Sequence, residues 1–188
     1  MKKQCILGIF GMIFFLPLIH ADLGANFEKE CTNGICTSPI YSYQKYYQEN
    51  NQWKQIDESF DTQDCEPGYT YCVDNNLYKF NIKNTFSEPL ITYGNTKLSF
   101  NLANFGSLPL ASSASIASIQ NNMATYQNII PGIDIQYTYL PHKVKEEIIV
   151  KARALFTTFT NDLTLDFTLN PYGKAATVIN NLIKIGDL

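Results

Sequence analysis

Clusters of lysine and arginine are missing from this chain: 14 basic residues are dispersed among 17 acidic ones, and charged residues make up only 16% of the 188. With a formal charge of −3 and no basic patch, it has no electrostatic footprint for nucleic acid or an anionic membrane surface, so neither is expected as a partner. Histidine is scarcer still. Apart from His20 near the N-terminus, only His142 could serve a Ser-His-Asp arrangement, and it follows Pro141 in a hairpin-like turn with no GxSxG elbow to partner it. Glycine-rich phosphate loops and Asn-x-Ser/Thr sequons are also lacking. No apolar run reaches the ~20 residues of a membrane-spanning helix.

What is present begins at the N-terminus. Lys2 and Lys3 precede an apolar run from Cys5 to Ile19, Pro17 interrupts it, and the small residue Ala21 follows. That is the plan of a signal peptide over residues 1–21, expected to be cleaved, with a retained anchor as the alternative. The chain is therefore expected to be secreted or at the cell surface. Residues 22–188 suffice for one domain, with 12 basic against 17 acidic side chains, a formal charge of −5.

Four cysteines remain in that domain, Cys31, Cys36, Cys65 and Cys72, an even number that argues for two disulfides in an exported chain. Asn33-Gly34 is a strong hairpin signal that sets Cys31 opposite Cys36. Cys65 and Cys72 bracket Glu66-Pro67-Gly68-Tyr69, which fits a type II turn, and they pair by default. Zinc is disfavoured, because the six residues between Cys65 and Cys72 exceed the spacing of zinc knuckles and His142 is remote. Asp57, Glu58, Asp61 and Asp64 form a loose acidic group that misses the EF-hand spacing and reads as a solvated loop. No metal and no cofactor is expected.

Hydropathy alternates with period two almost throughout. Ile133, Ile135, Tyr137 and Tyr139 alternate with polar residues, as do Leu163, Leu165, Phe167 and Leu169, so each set predicts a strand with one buried face. Shorter strands are predicted at Ile40–Tyr47, Tyr69–Val73, Tyr78–Ile82, Leu90–Tyr93, Lys97–Leu102, Met123–Gln127 and Val144–Lys151, with Leu182–Ile185 opening another. Turn residues separate them, including Asn50-Asn51, Gly94-Asn95 and Pro141-His142. The expected fold is an all-β antiparallel sandwich. One insertion is expected in it: the Ser/Ala-rich stretch Ala111–Asn122, read as a loop or short helix because Ile116 and Ile119 lie three apart.

No catalytic constellation emerges. Glu146 and Glu147 are adjacent on a strand, so they point to opposite faces and cannot together flank one glycosidic bond. Tyr41, Tyr43 and Trp53, with Tyr46 and Tyr47, form a candidate aromatic face for stacking on sugar rings, although the same alternation also suits a core strand.

Two stretches carry a resemblance. PIYSYQKYYQENNQWKQIDESF, from Pro39 to Phe60, orders an aromatic strand, a polar turn, Trp53 and Ile56-Asp57. ATYQNIIPGIDIQYTYLPHKVKEEIIVKA, from Ala124 to Ala152, carries Tyr126, Asn128, Pro131, Asp134, Tyr137, Val144, Lys145, Glu146, Ile148 and Val150. Together they resemble the N-terminal β-rich module of large secreted and cell-surface proteins of the Rhs/YD-repeat and wall-associated type, over roughly Pro39 to Asn170. The resemblance implies a non-catalytic structural or interaction module. Its implied partners are downstream domains of the same polypeptide or another surface protein, with glycans as the further class. It carries no catalytic residues. Asn128 and Asp134 are expected to hydrogen-bond backbone groups freed by the bend at Pro131-Gly132. The cysteines depart from the pattern, and the end at Leu188 fits either a stand-alone version or a fragment.

Overall fold

The computed structural model describes residues 30–32, 35–37, 44–105, 115–151, 165–179 and 182–185. Residues 1–21, expected to be a leader, and Tyr41 and Tyr43 lie outside the described residues. So does the start of the Ser/Ala-rich stretch, from Ala111 to Ala114. Among the described residues every regular element is a strand.

The strands run in chain order: β1 (Glu30–Thr32), β2 (Ile35–Thr37), β3 (Tyr46–Glu49), β4 (Gln52–Gln55), β5 (Tyr71–Val73), β6 (Tyr78–Ile82), β7 (Leu90–Tyr93), β8 (Thr96–Phe105), β9 (Ala117–Gln120), β10 (Met123–Ile130), β11 (Ile133–Leu140), β12 (Lys143–Val150), β13 (Leu165–Asn170), β14 (Ala176–Ile179) and β15 (Leu182–Ile185). A five-stranded sheet, β13-β8-β7-β6-β5, packs its buried side chains with those of a four-stranded sheet, β12-β11-β10-β9, and β1-β2, β3-β4 and β14-β15 form three two-stranded hairpins. All pairings are antiparallel, as the tight turns between neighbours require. The architecture is the expected all-β sandwich.

Its core lies between the two large sheets. Val73, Phe80, Ile82, Phe100, Leu102 and Phe105 come from one sheet and Ala124, Tyr126, Ile133, Ile135, Tyr137 and Tyr139 from the other. Aromatic rings bridge the gap: Phe80 meets Tyr137 edge-on at 5.8 Å between centroids, and Phe100 meets Tyr137 at 6.1 Å. Tyr78 lies 4.8 Å from Tyr139. Such aromatic pairs add about 0.5–1.5 kcal/mol each to the area they bury.

The tyrosines between the two sheets, Tyr78, Tyr126, Tyr137 and Tyr139, each end on a polar partner. Tyr139 donates to the Tyr78 carbonyl at 2.9 Å and accepts from Asn76 Nδ2 at 2.8 Å. Tyr78 donates to the Leu140 carbonyl, and Tyr126 to that of Lys83 at 2.5 Å. Unpaired, each hydroxyl would cost about 1–3 kcal/mol.

Several expectations are corrected. Ala117–Gln120 is a strand, because Ala117 and Ile119 face the core while Ile116, an odd step away, is 61% exposed. The spacing of three that suggested a helix therefore places the two isoleucines on opposite faces. In the Ile40–Tyr47 segment Gln44 and Lys45 are irregular, and the strand runs from Tyr46 to Glu49. Its partner β4 has no alternating signal, since all four residues are exposed. In β13 the buried face is incomplete. Phe167 stands opposite buried Leu102 yet is 48% exposed, because β13 is an edge strand.

Replacing Phe80 by Ala should destabilise the domain by about 3–5 kcal/mol in urea unfolding, whereas Trp53→Ala, on an exposed side chain, should stay within about 0.5 kcal/mol of the parent.

Candidate functional site

The motif from Tyr126 to Asp134 folds into a knot around a buried carboxylate. β10 and β11 pair regularly from Met123 opposite Thr138 to Tyr126 opposite Ile135, then lose register before Ile130 meets Ile133. The bulge puts Asn128 in the left-handed region, φ +52°, and frees its N–H, which Asp134 Oδ1 accepts at 2.9 Å. Asn128 Oδ1 in turn accepts the Gly132 N–H at 3.3 Å. Lys151 Nζ lies 2.5 Å from Asp134 Oδ2. Gly132 takes φ +82° after Pro131, the type II pattern that lets both isoleucines at the turn stay buried. Asn128 and Asp134 thus each accept a backbone N–H at the bend.

Glu146 faces the core and Glu147 faces away. Glu146 sits opposite Tyr137 and accepts its hydroxyl at 2.8 Å, while Glu147 lies 2.7 Å from Lys145 on the other side of the strand. Burial raises the Glu146 carboxyl to about 7, against a smaller lowering by the Tyr137 hydrogen bond. The Tyr137 phenol is pushed well up by its own burial first and by the Glu146 charge second.

The second disulfide is formed: Cys65 and Cys72 are bonded, with Cα atoms 5.3 Å apart. The turn between them has the expected form, since the Tyr69 N–H reaches the Glu66 carbonyl at 3.0 Å and Gly68 takes φ +88°. For the first pair the backbone register sets Cys31 opposite Cys36, and the loop Asn33-Gly34 lies outside the described residues. Asp61 is near both sulfurs of the formed bond, but disulfide sulfurs are not thiolate ligands. The acidic loop disperses its carboxylates. Asp57 accepts the Ser59 N–H, Asp61 that of Gln63, and Glu58 lies 3.5 Å from Asn122 Nδ2. His142 occupies the exposed β11–β12 turn.

The aromatic segment divides its residues by face. In the β3-β4 hairpin Tyr47 is buried, with Lys54 opposite, while the alternate face carries Tyr46 opposite Gln55 and Gln48 opposite Trp53. Trp53 is 42% exposed. Asn50 and Asn51, at φ +50° and +61°, form the two-residue turn. Of the three stacking residues expected, only Trp53 is among those described. Its companions on the outward face are Tyr46, Gln48 and Gln55, and the glutamines carried no sequence signal beyond strand alternation.

No family model, no curated protein and no solved structure matches this chain. No helix among the described residues is long and apolar enough to cross a membrane, which leaves β-barrels unaddressed.

Two outcomes follow. Asp134→Ala strands the Asn128 N–H and should cost about 1–3 kcal/mol in urea unfolding, with Asp134→Asn costing less. A carboxyl raised from 4.5 to about 7 binds more protons folded than unfolded, so Glu146 contributes a loss of stability as pH rises through that interval. Glu146→Gln should flatten this fall between pH 5 and 8, and an unchanged slope in denaturant melts would refute the assignment.

Proposed function

We propose that this chain is an exported, non-catalytic interaction module of a surface protein, and that it meets its partner through the outward face of the β3-β4 hairpin. The observation that carries this reading is Trp53, a large aromatic left 42% exposed on a hairpin that buries Tyr47 on its opposite face. An exposed tryptophan beside Tyr46 offers contact area at low entropic cost, the character of an interface anchor. The leader over residues 1–21 and the Cys65–Cys72 bond, stable in an oxidising compartment, support export. The resemblance to the Rhs/YD-repeat and wall-associated module supplies the partner class, downstream domains or another surface protein.

A carbohydrate-binding module is the second reading. Gln48 and Gln55 set amide donors and acceptors beside Tyr46 and Trp53, the mixture that sugar hydroxyls and ring faces require.

Expressed with its leader in a bacterial host, the protein should reach the extracytoplasmic fraction with Cys65 and Cys72 oxidised. Reduced protein held in the cytoplasm would count against export. On a glycan array Trp53→Ala should lower any wild-type signal by about tenfold or more. A signal that it leaves unchanged would remove the hairpin as the site.

A further inference from the structure

Four strands border the two large sheets, and β12, at eight residues, is the longest of them, since β5, β9 and β13 have three, four and six. The direction of its backbone groups follows from the ladder. The Lys151 N–H donates to the Gly132 carbonyl at 2.8 Å, one step beyond the pairing of Val150 with Ile133. Hydrogen-bonded pairs alternate in an antiparallel ladder, so the odd-numbered residues of β12 exchange bonds with β11. The N–H and C=O groups of Val144, Glu146, Ile148 and Val150 point the other way. Among the described residues no strand lies on that side.

A row of like charges would guard such an edge. β12 carries both signs instead. Its outer face presents Lys143, Lys145, Glu147 and Ile149 in turn, with Lys145 Nζ 2.7 Å from Glu147 and Ile149 37% exposed. Its inner face sets Val144, Ile148 and Val150 against the core, with Glu146 bonded to the Tyr137 hydroxyl.

We infer that the β12 edge pairs antiparallel with the β12 edge of a second copy of this chain, Glu146 opposite its own counterpart across a two-fold axis, separate from the hairpin face. Backbone parity admits only registers that set even-numbered residues opposite even-numbered ones, because those carry the outward groups. Charge chooses among them. Centred on Glu146, Lys145 of each copy faces Glu147 of the other, Val144 faces Ile148, and the Lys143 stem covers Ile149. Moving the centre by one residue sets Lys145 against Lys145 or Glu147 against Glu147, and like charges directly opposite are destabilising. The two-fold axis makes every favourable contact twice and joins the two four-stranded sheets into one. The two Glu146 carboxyls then meet on the inner face, each accepting its own Tyr137 hydroxyl, the titratable group that faces it from β11, while Lys145 and Glu147 lie on the opposite face. Burial raises the Glu146 carboxyl to about 7, so the protonated pair meets without repulsion below that pH and pairing weakens above it.

The test is sedimentation velocity of the oxidised protein at increasing concentration. A dimer that grows with concentration is expected at about pH 6, and a weaker one at about pH 8. Lys145→Glu and Glu147→Lys should each weaken it about tenfold or more. An equimolar mixture of the two variants, in which every facing pair is again Glu with Lys, should restore a heterodimer. Ile149→Lys, opposite Lys143, should weaken the dimer by a similar factor and carries the test if either variant does not fold. Trp53→Ala should dimerise as the parent does. A parent chain that stays monomeric up to about 1 mM at both pH values overturns the pairing, as does a mixture that stays monomeric while the parent dimerises. Dimerisation lost in Trp53→Ala and kept in Lys145→Glu would place self-association on the hairpin and overturn this edge.

Discussion

Tyrosine in the middle of a sandwich imposes a constraint that phenylalanine does not, since every ring brings a hydroxyl that must find a partner. Tyr78, Tyr126, Tyr137 and Tyr139 all lie between the sheets. Their hydroxyls end on carbonyls or side chains at the rim, at Leu140, Lys83, Glu146 and Tyr78 respectively. The rim loops are therefore fixed by the core. Asn76 shows the coupling, because its buried amide spans the Tyr139 hydroxyl and the Pro141 carbonyl and so ties the β5–β6 connection to the β11–β12 turn.

The same logic explains where charge is tolerated. Asp134 is tolerated in burial because the Asn128 N–H freed by the bulge meets one of its carboxylate oxygens and the Lys151 ammonium the other. Glu146 is tolerated on the inner face because β12 is an edge strand and a tyrosine hydroxyl meets its carboxyl. Residues that resemble a functional motif in sequence are thus occupied in holding the β10-β11-β12 unit together. The surface proposed for recognition lies elsewhere, on the outward face of the β3-β4 hairpin.

Much of this was legible because period-two alternation follows directly from the pleat. Tyr78–Ile82 and Leu90–Tyr93 match their predicted spans, and the Pro67-Gly68 turn was fixed by φ preferences alone. What failed had tertiary causes. β4 contains no apolar alternation to read, since it is held by pairing with β3 rather than by burial. β9 was hidden by exposed Ile116, and Phe167 looked buried because a sequence does not reveal that its strand is an edge. The row of Cys72, Asn81, Leu90 and Ser99, buried together across β5, β6, β7 and β8, was unreadable for a related reason. Those residues are brought together by register across strands up to 27 positions apart, from Cys72 to Ser99.

The central claim is that two sheets close on one shared aromatic layer. Aromatic NOE spectroscopy of the oxidised protein tests it most directly. Cross-peaks are predicted between the ring protons of Phe80 and Tyr137 and between those of Tyr78 and Tyr139, pairs whose centroids lie 5.8 and 4.8 Å apart. Absence of both in a folded, well-dispersed spectrum would mean that the sheets do not pack as described.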